Sequence, residues 1–415
     1  MFPATDFSCT VQAVAGGMFG EVNIYFFGNR GTREVVYVGH RDTRQVVGLS
    51  QYYTLFGVGK KIMVRLTGNG YTLQDGQPTI VTCSVTECQL SDVLVPCDGA
   101  LLGSSGDFRD ELGNEVSKID TFLAAETKIG RQYDIFHDFL SAGNWNKIRD
   151  SGFPYSTKLQ GLVDGGRIMF INWKNQDGPN EWKDIAAGSQ DATIEATAMV
   201  FANFGRKVFL TFYHEPEDNI RDAAPNNVNQ QYALCKQYSD AFRYIHEKFV
   251  AAGATNVIWV WDMQGFSNWF PYYENGLYPG NDVVDWIGFN KYNWYRCKTN
   301  KWDSFSETLS SPMQWLNTNT ALIGQNKPVM IGEFSTEENL GAPNSAETKG
   351  DWYRSIPSVL ANAYPRIKAM VAFDTEGIVN GVPQFCYWGI DSSPAALQGF
   401  KDMAADPFFN QWYNN

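Results

Sequence analysis

Two apolar runs in this sequence end on a glutamate. VFLTFYHEPE carries Glu215 and KPVMIGEFS carries Glu333, each directly after residues that read as buried strand. A carboxylate at the buried edge of a strand costs free energy unless it is paired or hydrogen-bonded, so two of them call for a purpose. One purpose is structural, with each Glu closing an ion pair to a nearby Arg or Lys. The other is hydrolysis of a glycosidic bond. In that reaction one carboxyl group protonates the leaving oxygen, while the second attacks the sugar carbon or activates water against it. The two groups lie ~5–5.5 Å apart in retaining enzymes and ~6.5–9.5 Å apart in inverting ones. Glu217 and Asp218 follow Glu215 so closely that they read as solvated charges at a helix start, and Glu337 and Glu338 read the same way. Asp374 and Asp391 are third choices for a catalytic carboxylate.

The elements that must position this pair read as parallel βα units. Candidate strands lie at 99–103, 133–137, 167–172, 208–214, 256–261, 284–290, 328–333 and 367–373. Helical patterns fall between them at DATIEATAMVFANFG, QQYALCKQYSDAFRYIHEKFVAAG and ETKGDWYRSIPSVLANAY, the second ending in Gly253, a normal helix stop. Eight strands with crossover helices predict a (β/α)₈ TIM barrel over 96–415, whose active site is built at the carboxyl ends of the strands. The rival is an open doubly wound sheet, which wants a glycine-rich phosphate loop after its first strand. GSSGDF is a feeble match to one. Reading the strand exits in order gives His137, Asn172 with Trp173, His214 with Glu215, Trp261 with Asp262, Asn290 with Tyr292, Glu333, and Asp374. Nearly every exit is polar or aromatic, which predicts one crowded polar mouth. Trp261, Trp269, Trp294 and Trp388 lie on exit loops and are candidates for stacking on sugars or for loop core. The long aromatic segment DMQGFSNWFPYYENGLYPG is expected to wall the cleft.

The strings FYHEPE, VVDWIGFNKYN, PVMIGEFS and FDTEG…YWGIDSSP resemble glycoside hydrolase family 26 and its relatives, over roughly residues 97–405. The resemblance implies a retaining (β/α)₈ glycosidase with its acid/base and nucleophile on barrel strands four and seven. Most of that clan has Asn before the acid/base, whereas family 26 has His, as in His214-Glu215 here. Carried over, Glu215 would be the acid/base and Glu333 the nucleophile. His214 would bond near the reacting sugar or orient Glu333, and Tyr292 would hold Glu333 ionised through its hydroxyl. His137 and Trp173 sit where the family places sugar contacts. Its best-known members cut β-1,4-mannan, and others cut mixed-linkage β-glucan or xylan. A retaining, endo-acting hydrolase of a β-linked polysaccharide, mannan or mixed-linkage glucan, is therefore expected. Two carboxylates and water suffice for it, so no metal or organic cofactor is implied.

Bulk properties fit. Of 415 residues 44% are hydrophobic and 19% charged, an ordinary globular balance. Trp and Tyr, 13 and 20 in number, offer flat amphipathic rings suited to the apolar faces of sugars. The net charge of -12, without a Lys/Arg-rich run, argues against nucleic acid, and no stretch approaches the ~18 apolar residues of a membrane span. No signal peptide is visible at the start, so the chain is expected to act outside the cell either with a signal removed or as part of a virion. The 7 Cys form no zinc pattern, and the odd count leaves at least one unpaired; Cys83 and Cys88 could close a small loop. Residues 1–93 read as a small all-β module, with strands at EVNIYFFG, REVVYVGH, KIMVRLTG and PTIVTCSV. Carbohydrate binding, docking to a larger assembly and spacing are its candidate roles. The alternative to hydrolysis is glycan recognition on a virion tail or cell surface, with or without turnover.

Overall fold

The computed structural model describes residues 90–106, 117–140, 142–175, 177–375 and 386–409. It also describes strands within 1–89 and a short two-stranded sheet within 376–385. The strands of residues 1–89 are β1 (Ala4–Gln12), β2 (Glu21–Phe27), β3 (Arg33–Val38), β4 (Arg44–Gly48), β5 (Ile62–Thr67) and β6 (Ile80–Glu87). They pair antiparallel in two three-stranded sheets, β4-β1-β6 and β3-β2-β5. Four of them coincide with the expected runs. β1 and β4 were not expected, because ATDFSCTVQ and RQVVG have no long apolar run. The side chains of Cys83 and Cys88 lie outside the described residues.

The remaining long strands close a barrel: β7 (Leu101–Ser105), β8 (Ile135–Leu140), β9 (Ile168–Trp173), β10 (Val208–Phe212), β11 (Val257–Met263), β12 (Trp286–Asn293), β13 (Val329–Thr336) and β14 (Ile367–Phe373). Each pairs parallel with its neighbour in sequence, and β14 pairs back onto β7. All eight expected strands are present, and the closed ring excludes the open-sheet rival. Strands covered on both faces can be apolar throughout, which is why they were legible. The crossover helices end where local chemistry dictates. Asn227 caps the helix Val228–Ala251 by accepting from Gln230 N–H, and Gly253 follows that helix at φ 82. Ser304 with Glu307, and Thr348 with Asp351, form capping boxes at the starts of Phe305–Thr318 and Lys349–Ala363.

The barrel has a dry floor and a polar mouth. Inside it, Leu101, Ile135, Phe170, Phe209, Ile258, Trp286 and Met330 form one apolar cluster, into which Leu94 inserts from below. The Leu90–Pro96 bridge holds that plug, and Trp286 Nε1 donates to Val93 O at 2.6 Å. Each apolar side chain buried this way contributes ~1.5–3 kcal/mol, so the amino end is tied shut and the chemistry is left to the carboxyl end. A second cluster fills the space between barrel and helices.

Candidate active site

Glu215 and Glu333 reach the same cavity, a space of about 270 Å³ at the carboxyl ends of the strands. His214, Phe139, Phe373, Asp374, Ser105 and Lys118 share its lining. Each Glu is aimed by a local departure from regular structure. After β10 the chain turns through Tyr213 (φ 51) and Glu215 (φ 50), both in the left-handed region that non-glycine residues avoid, before Pro216 opens a helix. That conformation survives because its amides are paired: Tyr213 N–H donates to Trp173 O at 2.7 Å and Glu215 N–H to Asp262 O at 2.9 Å. Glu333 lies within β13, where Ile331 pairs with Phe289 but Glu333 pairs with Asn290. Gly332 is the extra residue of this bulge, which re-aims the side chain that follows.

Each carboxylate is held by one oxygen. Tyr292, on the neighbouring strand, donates its hydroxyl to Glu333 Oε2 at 2.5 Å, and Asn290 Nδ2 donates to Glu215 Oε1 at 2.9 Å. Burial raises both carboxyl pKa values, and the charge of Glu215 raises Glu333 further. Against this act the hydrogen bonds from Asn290 and Tyr292 and the half-buried Lys174 ammonium. Two buried carboxyls that repel each other titrate as a unit and hold a proton well above the ordinary carboxylate range. His214 Nε2 stands 3.9 Å from Glu333 Oε1. Burial and then Lys174 push this imidazole down to about 3, so it is neutral and offers Glu333 no ion pair.

Of the other expected site residues, Trp388 is buried with its ring 4.8 Å from that of Tyr292, and Trp294 meets its edge at 5.4 Å. His137, Trp173 and Trp261 need correction, because they are 0%, 1% and 0% exposed and cannot stack on a sugar. His137 lies inside the barrel, sandwiched between Phe139 and Phe170. Trp173 packs outward on Phe212, and Trp261 packs outward between Tyr273 and Tyr278. Glu217 is likewise no solvated charge. It is fully buried and accepts from Tyr273 Oη at 2.6 Å and Gln264 N at 2.8 Å, with burial pushing its pKa up to about 8. Glu337 is buried too, accepting from Tyr387 N–H. Asp218 does keep an exposed ion pair with Arg221, and Asp391 pairs with Lys128. The aromatic segment after β11 packs its Tyr273 and Leu277 into the core.

Sequence reading placed Asp262 and Asn290 at strand exits but gave neither a role, and it passed over Lys174 and the cavity-lining Phe139 and Phe373. A polar residue inside an apolar strand, as in VIWVWDM, is the signal that could have found Asp262. A disulfide between Cys297 and Cys386 joins the segments after β12 and β14; Cys97 is also disulfide-bonded, and Cys235 is a buried free thiol.

Fold and site together define a parallel (β/α)₈ barrel with a carboxylate pair at the ends of its fourth and seventh strands. The chain resembles glycoside hydrolase family 26 and its relatives. It is 29% identical over 284 residues to Endoglucanase H of Acetivibrio thermocellus, a match spanning 66% of this chain and 27% of that protein. It is 22% identical to Beta-1,3-xylanase TXYA of a Vibrio species, over 80% of this chain and 70% of that one. Among solved structures it matches a GH26 β-mannanase from Bacteroides ovatus at 13% identity and a TM-score of 0.48, over 75% and 90% of the two chains. No family model matches the chain.

Proposed function

We propose that this chain is a retaining glycoside hydrolase, endo-acting on a β-linked polysaccharide, with Glu215 as acid/base and Glu333 as nucleophile. The observation that carries the reading is that the two glutamates meet in one cavity, each tethered through one oxygen. With Oε1 of Glu215 engaged by Asn290, its proton belongs on Oε2, free to pass to the glycosidic oxygen. With Oε2 of Glu333 engaged by Tyr292, Oε1 is the atom that attacks the anomeric carbon. The C–O bond breaks as the proton arrives, leaving a glycosyl ester on Glu333. Glu215, now a carboxylate, then takes a proton from the water that hydrolyses the ester. His214, Tyr292 and Trp388 border the bound sugar in this reading. Residues 1–93 serve as an accessory module that binds, docks or spaces the barrel, and the enzyme works outside the cell.

The relatives' names, an endoglucanase and β-1,3-xylanases, set the substrates to try beside mannan. Reducing-sugar release from mannan, glucomannan, mixed-linkage β-glucan and β-1,3-xylan, with NMR of the first-formed anomer, tests the whole reading. Hydrolysis of one polymer with retained configuration is expected. Binding without hydrolysis across the panel would instead make the chain a glycan-recognition protein, and an inverted first product would remove Glu333 as nucleophile.

Tyr292→Phe has an expected signature of its own. Loss of the donor to the charged carboxylate raises the pKa of Glu333. Because ionised Glu333 is the active form, the acid limb of kcat/KM moves to higher pH. A hydrogen bond to a charged group contributes ~1.5–3 kcal/mol, so a fall of roughly 10- to 150-fold accompanies the shift. An acid limb that stays in place would reduce Tyr292 to packing.

A further inference from the structure

Close to the two glutamates, but outside the cavity lining, lies a buried carboxyl that the hydrolytic scheme does not use. Asp262, in β11, is fully buried, and neither carboxylate oxygen has a hydrogen-bond partner among the described residues. Room for it is made by glycines on the next two strands. A Cβ on Gly288 would lie 2.5 Å from Asp262 Oδ1, and one on Gly332 would lie 2.8 and 2.9 Å from Oδ1 and Oδ2. That same carbon on Gly332 would lie 2.9 Å from Asn290 Oδ1, so the Asp262 carboxyl and the Asn290 amide oxygen converge over one Cα. The amide oxygen is also without a partner, while the amide nitrogen donates to Glu215 Oε1.

Two buried acceptors side by side, both unsatisfied, are costly, and one proton between them removes the cost. We propose that Asp262 is a positioning residue that acts as the neutral acid, donating its O–H to Asn290 Oδ1. This fixes the amide with its nitrogen toward Glu215. Glu215 Oε1 is thereby kept an acceptor, and the catalytic proton is confined to Oε2, facing the cavity. An ionised Asp262 would draw the amide NH₂ to itself, because an amide orients to suit its network. Asn290 Oδ1 would then face Glu215 and accept a hydrogen bond from its O–H, turning the proton that the leaving group needs away from the cavity. The titratable groups facing Asp262 are the carboxyls of Glu333, Glu215 and Glu217 and the hydroxyls of Tyr292 and Tyr238. Burial first and then the three carboxyls hold its pKa well above the ordinary range, outweighing the Asn290 side chain, which acts the other way.

The inference rests on the role given to Glu215, and its test separates the two. Asp262→Asn keeps a donor for Asn290 Oδ1 and cannot ionise; Asp262→Leu keeps the branched shape and offers no donor. Asp262→Asn is expected to keep kcat/KM within about fivefold of wild type with an unmoved pH profile, and Asp262→Leu to lose roughly 10- to 100-fold. Infrared difference spectra of wild type minus Asp262→Asn at neutral pH should show a protonated carboxylic acid, a readout that needs no turnover. Equal losses in both variants, a displaced pH limb in Asp262→Asn, or an ionised carboxylate in the difference spectrum would each overturn the proposal. A wild type inactive on every glycan, yet carrying the protonated band, would instead overturn the role of Glu215.

Discussion

Replacing Glu333 with Ala is expected to lower turnover of the preferred polysaccharide by roughly 10⁴–10⁶-fold while the protein folds as before, since removing a nucleophile forfeits the covalent route altogether. The fold should survive because the site is shaped by the backbone: the bulge at Gly332 and the pairing of β13 with β12 do not depend on the Glu333 side chain. Stability should even rise slightly, since the variant no longer buries a carboxyl whose burial and repulsion by Glu215 disfavour its charge. The Tyr292 hydroxyl does lose its acceptor, which limits that gain. Added azide, small enough to occupy the vacated space, should restore turnover and yield a glycosyl azide of inverted configuration. Steady-state rates, a thermal melt and NMR of the azide product check the three parts. Wild-type-like turnover would remove Glu333 from the mechanism, and a collapsed melting transition would make its role structural.

The barrel and its two glutamates were legible because both signals are local. A strand buried on two faces reads as an apolar run, and a charge at its end stands out against that run. The parts of the site that were not legible depend on which way a side chain points. At the exit of β11 the adjacent pair Trp261 and Asp262 alternates in direction, as strand residues must. Trp261 goes outward into the aromatic core and Asp262 inward, against Gly288 and Gly332. The sequence reading chose the ring, because aromatic residues on loops suit sugars, but β11 runs on to Met263 and there is no loop at that point. The same alternation sends Trp173 outward and leaves Asn172 buried beside it. His137 is not an exit, because β8 continues to Leu140 and encloses it, past the point where the apolar run of the sequence breaks at Asp138. Glu217 was misread for another reason. Helix-start carboxylates are normally solvated, but this one is covered by Tyr273 from a segment 56 residues further along the chain. The convergence of Asp262, Asn290 and Gly332 is likewise set by packing across three strands, and spacing in the sequence cannot express it.

Glu215→Ala is expected to separate bond-breaking from proton transfer. General acid catalysis contributes roughly 10²–10⁴-fold, and all of it is lost when the leaving group is a sugar hydroxyl that must be protonated as it departs. With an aryl glycoside whose phenol leaves as the anion, the first step no longer needs the proton, and Glu333, still held by Tyr292, attacks at near its normal rate. The second step then limits turnover, because no carboxylate remains to take the proton from water. A burst of phenol followed by a slow steady state is the expected trace, with added azide or formate raising the slow phase. Glu215 is itself protonated over the range in which Glu333 ionises, so its removal takes no charge away from Glu333, and the acid limb of the burst rate stays near its wild-type position. Tyr292→Phe, which removes the donor to the charged carboxylate, does move that limb. Loss of equal size on polysaccharide and aryl glycoside, with no burst, would assign Glu215 to binding or structure and move the acid role to another carboxyl, of which Asp374 is the one already lining the cavity.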